Sequence, residues 1–160
     1  LGQGKVPISQ ELITDLRKAT GLLIRPIGKG SPLLEARVVT RHGRVNDEAL
    51  KKLLPLSKLL VRLDIRDTAV TDDVCNTLSK FNSLVELNLR GCKVGDKGVA
   101  QLMGLKNLQI LNLGKTEVTK DGVMQLLKLP NLSTLNLWQS KAGKDQAHLE
   151  QVRSSLRIVN

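Results

Sequence analysis

Aromatic side chains are almost missing from this chain of 160 residues, which holds one Phe, one Trp and no Tyr. Most domains of this size anchor their cores on several large rings, so here the interior must be filled by aliphatic side chains. Only two cysteines occur, Cys75 and Cys92, and only two histidines, His42 and His148. No pair has Cys-x-x-Cys or His-x-x-x-His spacing, which removes the usual zinc-ligand patterns. No stretch approaches 18 uninterrupted apolar residues, so no transmembrane segment is expected. The one glycine-rich stretch, Gly28-Lys29-Gly30, is too short for a phosphate loop and lacks the strand–helix setting.

Catalytic constellations are also lacking. His42 sits in the basic stretch Arg41-His42-Gly43-Arg44 and His148 near the far end of the chain, neither beside an evident nucleophile and orienting carboxylate. The pair Asp72-Asp73 opens a helical stretch, and its leading Asp recurs as Asp47 and Asp96, which points to helix capping rather than metal binding. No enzymatic activity and no cofactor are expected.

What the chain has instead is a period. Leu60, Leu84, Leu108, Leu132 and Leu156 stand 24 residues apart, and the first four open the phrases LVRLDIRDTAV, LVELNLRGCKV, LQILNLGKTEV and LSTLNLWQSKA. Alternation with a period of two marks a strand in each phrase. It turns Leu63/Ile65, Leu87/Leu89, Leu111/Leu113 and Leu135/Leu137 inward. The ninth position, Thr68, Cys92, Thr116 or Ser140, should turn inward and satisfy backbone groups at the strand's end. Cys92 is therefore a packing residue; whether it is bonded to Cys75 is left open. A helical half follows, with Val74, Leu78 and Phe81, then Val99, Leu102 and Leu105, then Val123, Leu126 and Leu129. Around Ala147, Leu149 and Val152 the register breaks by one residue, and Leu156 with Val159 suggests a shortened final strand.

Period and phrase resemble the leucine-rich repeat family. That resemblance implies an α/β leucine-rich repeat solenoid, a right-handed superhelix with a parallel sheet on the concave face and helices on the convex face. The expected layout is a single domain over residues 1–160. An N-terminal helix–strand cap covers 1–34, and a degenerate repeat covers 35–59, where Val45-Asn46-Asp47 answers Val70-Thr71-Asp72. Repeats follow at 60–83, 84–107, 108–131 and 132–155, then a terminal strand at 156–160. In the cap, Ser9 is a good N-cap, Ile8 and Ile13 can form a hydrophobic staple, and Gly21 suits a helix stop. Residues Leu22-Leu23-Ile24 read as a strand and Gly28 to Pro32 as a loop, while Pro55 marks a kink or end in the next helix.

Outward strand positions are free of packing duty and stack into columns, so their identities are the natural carriers of specificity. The columns are Arg62, Glu86, Ile110 and Thr134; Asp64, Asn88, Asn112 and Asn136; and Arg66, Arg90, Gly114 and Trp138. Candidate partner-binding residues are thus Arg62, Asp64, Arg66, Glu86, Asn88, Arg90, Asn112, Asn136 and Trp138. Arg66 and Arg90 suit a bidentate grip on a carboxylate. The Asp/Asn column has a second reading, in which neighbouring side chains bond along the sheet and simply stabilise it. Trp138 is either an interface anchor or a cover for the last repeat. The net charge of +10 favours an acidic partner, although the lysines are scattered.

Val70-Thr71-Asp72, Val94-Gly95-Asp96, the ending LNLWQSKAGKDQ and the stretch LLIRPIGKGSPLLEARVV are similar to a bacterial subgroup. It comprises repeats of planctomycetes and some Bacteroidetes, often placed behind a c-type cytochrome domain in exported proteins. Lys120 and Lys144 depart from it where an Asp would be usual. The resemblance implies a non-catalytic protein-interaction module outside the cytoplasm, in the periplasm or at the cell surface, with a cytoplasmic setting also open. This chain lacks Cys-x-x-Cys-His and should hold no haem itself. Its start at Leu1, without Met, suggests a fragment or a processed product. Two other classes stay open: substrate-recognition repeats of a ubiquitin-ligase adaptor, and a binder of an anionic polymer. Nucleic acid is disfavoured because the chain lacks aromatic platforms for bases, and no small-molecule substrate is evident.

Overall fold

A computed structural model of the chain describes residues 8–39 and 44–159. The stretch 40–43, with His42, and the tips of the chain lie outside the described residues.

Seven strands form one sheet in sequence order: β1 (Leu22–Pro26), β2 (Leu34–Val38), β3 (Leu60–Asp64), β4 (Glu86–Asn88), β5 (Ile110–Asn112), β6 (Thr134–Asn136) and β7 (Arg157–Val159). β1 and β2 are an antiparallel hairpin, and every later pair is parallel. Each parallel pair needs a crossover, which the helical halves supply. Helices α1 (Gln10–Thr20), α2 (Asp47–Lys51), α3 (Asp72–Leu78), α4 (Asp96–Gln101), α5 (Lys120–Leu126) and α6 (Gln146–Val152) alternate with the strands. After α1 the helices have seven residues or fewer. Segments so short are not stable alone, so packing of their apolar faces holds them.

The register explains the packing. Ala36, Leu63, Leu87, Leu111, Leu135 and Ile158 are partners across β2 to β7, and all are buried. Leucine therefore stacks on leucine without any one repeat closing its own core. The helix residues anticipated from the sequence, from Val74 and Phe81 through Leu129, are buried against this row.

The N-terminal unit matches its local signals. Ser9 accepts a hydrogen bond from the Leu12 amide at 3.1 Å, and Gly21, at φ 74°, ends α1 with its amide on the Arg17 carbonyl. The Gly28–Pro32 stretch is the loop of the β1–β2 hairpin. α2 ends at Lys51, and Pro55 opens a short 3-10 turn at Leu54–Leu56.

Two features differ from the sequence expectation. The leading Asp residues do not cap their own helices: Asp47, Asp72 and Asp96 stand at the first helical position and reach into the next repeat. Asp47 Oδ1 accepts from the Thr71 amide at 2.9 Å, Asp72 Oδ1 from the Gly95 amide at 2.7 Å, and Asp96 Oδ1 from the Thr119 amide at 2.8 Å. The caps are instead the preceding residues, Asn46 and Thr71 by their side chains, and Gly95 by its extended backbone. Lys120 occupies the matching place in the next helix, so the ladder of carboxylates stops there.

The second difference is at the far end. Ala147 and Val152 are exposed, and only Leu149 of that expected trio is buried. The interior there is completed by Ala142, Leu156 and Ile158. Arg153 closes the repeat by donating to the carbonyls of Leu127, Leu129 and Leu132 at 2.9, 2.7 and 2.8 Å. These are charge-assisted bonds, the stronger kind. The pairing left open by the sequence is absent: Cys75 and Cys92 are both free and buried, in keeping with Cys92 as a packing residue.

Candidate site on the concave strand face

Each phrase turns out of its strand in the same way. The second outward residue accepts a hydrogen bond from the amide two places on: Asp64 from Arg66, Asn88 from Arg90, Asn112 from Gly114 and Asn136 from Trp138, at 2.9–3.2 Å. Of the two readings of this column, bonding along the sheet gives way to a tight local turn, a habit of Asn and Asp. The residue after the turn, Asp67, Gly91, Lys115 or Gln139, has a positive φ of 54–72°. At the ninth position, Thr68, Thr116 and Ser140 donate to the carbonyls of Ile65, Leu113 and Leu137 at 2.6–2.7 Å. Cys92 directs its Sγ to the Ile65 carbonyl of the preceding repeat at 3.2 Å. Burial pushes the thiols of both Cys75 and Cys92 up, Cys75 to about 12 with smaller contributions from Asp72 and Asp47.

Turn geometry aims the remaining outward side chains into the concave space, and there the wall divides in two. In the N-terminal half the charges are matched except at Arg37. Arg25 Nε is 2.6 Å from Glu35, Arg62 is 3.9 Å from Glu35 and 3.0 Å from Glu86, so four strands carry an alternating row of charge. Arg66 holds Asp64 through Nε at 2.9 Å and through Nη2, and this raises the Arg66 pKa, chiefly through the side-chain hydrogen bond with Asp64. Arg90 Nη1 is 2.8 Å from Asp67 Oδ2. Arg66 and Arg90, read from the sequence as free grips, are both already engaged within the protein. Arg37 also lines this half, beside a depression of about 400 Å³ bounded by Arg62, Asp64, Arg66 and Glu86, and has no carboxylate partner among the described residues.

The C-terminal half differs. Ile110, on β5, and Trp138, in the turn after β6 and not at the strand position read from the sequence, are 41% and 42% exposed, high for large apolar side chains. Arg90 and Lys115 approach the Trp138 ring, with the guanidinium carbon 5.9 Å and the ammonium 4.9 Å from its centroid. That is within cation–π range. Gly114 lies between Arg90 and Trp138 in the third column; a Cβ there would meet the Trp138 carbonyl at 3.1 Å and the Asn112 and Asn136 Oδ1 atoms at 3.2 Å. With no side chain between them, Arg90 and Trp138 lean together over the gap.

Sequence columns thus brought Arg62 beside Glu86 and Arg90 near Trp138. Four participants were missed. Arg25 and Glu35 become neighbours only through the antiparallel hairpin, and Asp67 and Lys115 belong to the positive-φ position that the columns omitted. The signal for Lys115 was there: it follows Gly114 in the same step that places Gln139 after Trp138.

A family model described as a leucine-rich repeat matches residues 82–103, one turn of the array. No curated protein matches the chain. Among solved structures, it is similar to an internalin from Listeria monocytogenes, with 25% sequence identity and a TM-score of 0.56. The likeness covers 69% of this chain and 31% of that one, so the chain spans under a third of the internalin's length. The fold is that of an α/β leucine-rich repeat solenoid, and both likenesses support placing the chain in the leucine-rich repeat family.

Proposed function

We propose that the chain is a non-catalytic recognition module that binds a protein partner through the concave strand face. The observation that supports this most is the pair of exposed apolar side chains, Ile110 on β5 and Trp138 in the turn that follows β6, beside a sheet face whose outward residues do no core packing. Large apolar groups in such a setting are the usual anchors of an interface. The buried cysteines support the same reading: with their thiols pushed up, neither offers a thiolate at neutral pH.

The binding residues are drawn from Arg62, Asp64, Arg66, Glu86, Asn88, Arg90, Asn112, Asn136 and Trp138, with Ile110 and Lys115 added by the geometry. Peptides selected from an unbiased displayed library on the wild-type protein test this. They should lose binding to a variant carrying Glu86→Arg with Thr134→Arg on the concave wall, and keep it on Lys97→Glu with Lys128→Glu on the convex helices. The reverse pattern would remove the concave face from consideration.

The module is further read as part of a larger exported bacterial protein, acting in the periplasm or at the cell surface. Support comes from the subgroup phrases around Val70-Thr71-Asp72 and LNLWQSKAGKDQ and from the bacterial source of the solved neighbour. A signal peptide and haem-attachment motif encoded upstream of Leu1 would agree with it, and an F-box there would replace it with the ubiquitin-ligase reading. Binding to an anionic polymer would show itself by steep weakening between low and physiological salt.

A further inference from the structure

The two halves of the concave wall are chemically unequal, and the inequality selects a kind of partner. Every acidic side chain on this wall lies in the N-terminal half: Glu35, Asp64, Asp67 and Glu86, each against an arginine. Those pairs are partly exposed and contribute little to stability. They do, however, engage every local cation but Arg37 and leave carboxylates facing anything acidic that approaches.

From β5 to β7 the strand and turn positions hold no Asp or Glu, and Glu117, just past the turn, is paired with Lys141. They hold the exposed Ile110 and Trp138, the amide-bearing Asn112, Asn136 and Gln139, and two cations, Lys115 and Arg157. Arg157 pairs in register with Thr134 and is exposed, next in line on the column that contains Ile110. Neither Lys115 nor Arg157 has a carboxylate partner among the described residues. Lys115 rests instead on the Trp138 ring. An ammonium held over an indole is restricted in motion yet keeps its charge uncompensated, so it is preorganised for a carboxylate arriving from solvent. The ring beside it offers apolar area at small entropic cost.

We propose that the C-terminal half of the concave wall, centred on Trp138 and Lys115, docks an acidic peptide segment of a partner protein that presents an apolar side chain next to a carboxylate. The apolar group packs on Trp138 and Ile110, and the carboxylate meets Lys115 with Arg157 close along the column. Asn112 and Asn136 are committed to their own turns through Oδ1, and their amide nitrogens stay available as donors. This rests on the reading of the concave face as the binding surface and narrows it to one half and one chemistry.

Trp138 is the only tryptophan, so its fluorescence reports on the site directly. The test selects short peptides from an unbiased displayed library on the wild-type protein. It then titrates the recovered sequences into wild type, Trp138→Ala, Lys115→Glu and the convex control Lys97→Glu. Fluorescence follows the tryptophan-containing proteins, and calorimetry follows all four. The expected peptides are enriched in Asp or Glu beside Leu, Ile or Phe and shift the Trp138 emission. They should weaken by roughly tenfold or more on Trp138→Ala, the loss typical of an anchor residue, and comparably on Lys115→Glu, with Lys97→Glu unchanged. Basic or neutral peptides, no enrichment, or equal binding to Trp138→Ala would overturn the proposal. If the peptides bind Trp138→Ala and Lys115→Glu as they bind wild type but lose binding to Glu86→Arg alone, the concave reading survives and only its C-terminal placement falls. If it is lost only on Lys97→Glu, both fall.

Discussion

The Asp96 carboxylate accepts two hydrogen bonds from Thr119 of the following repeat, from the amide at 2.8 Å and from the hydroxyl at 2.6 Å. The same bidentate grip joins Asp47 to Thr71 at 2.9 and 2.8 Å. Asp72 makes the single bond that Gly95 allows. These carboxylates tie repeat to repeat at the convex rim, where the helices begin. Replacing Asp96 by Ala leaves the Thr119 amide without its partner, a loss of about 1–3 kcal/mol. Chemical denaturation should show that loss, and hydrogen exchange should show it concentrated around residues 96–126 rather than in the N-terminal unit. Unaltered stability would mean that water replaces the carboxylate without cost.

Gly91 has a second kind of constraint. Its φ is 72°, and a Cβ there would overlap the Asp67 carboxylate, whose Cγ would lie 3.2 Å away. Asp67, Lys115 and Gln139 hold the equivalent conformation with full side chains, so the backbone alone does not demand glycine. The demand comes from Asp67 crossing Gly91 to reach Arg90. Gly91→Ala should destabilise by about 1–2 kcal/mol through the left-handed conformation alone, with the overlap adding to it. Adding Asp67→Ala should return the second part. A double-mutant cycle by urea unfolding measures this coupling; additive effects would show that the two side chains do not meet.

Cys75 stands 24 and 48 residues before Val99 and Val123, at one buried position of the helical half. Cys75→Val should therefore change neutral-pH stability by less than about 1.5 kcal/mol, as volume-conserving swaps do. Its titration makes a sharper prediction. The folded thiol is raised from 9.0 to about 12, so the folded state holds the proton more tightly than the unfolded chain. The stability this contributes is complete below pH 9.0 and is lost as pH climbs toward about 12. Urea midpoints measured on the alkaline side should fall less steeply for Cys75→Val than for wild type. Parallel profiles would place the alkaline sensitivity elsewhere.

The parts of this fold that could be read from sequence are those in which one residue type has one use. Leucine at a 24-residue step has only the interior to fill, so the strands, their register and the buried helix faces follow from spacing. Asp at a helix start has two uses, capping its own helix or gripping the next repeat, and the linear pattern is the same for both. Only coordinates separate them, because the choice depends on the stagger between neighbouring helices. The binding wall shows the same limit. Alignment of the columns set Arg62 beside Glu86, but the row of pairs starts at Arg25 and Glu35, joined by a hairpin that breaks the period. Likewise α6 escaped because its helical half no longer repeats: Ala147 and Val152 face solvent, and Arg153, a residue with no counterpart in the other repeats, closes the end.

Chemical-shift mapping of the isotopically labelled protein, titrated with a peptide chosen on it, tests the recognition surface most directly. The account predicts perturbations confined to the strand face, strongest at residues 110–115, 134–139 and 157–159, with the Trp138 indole N–H among the largest. Perturbations gathered on the helices α3, α4 and α5, with the Trp138 indole unmoved, would contradict it.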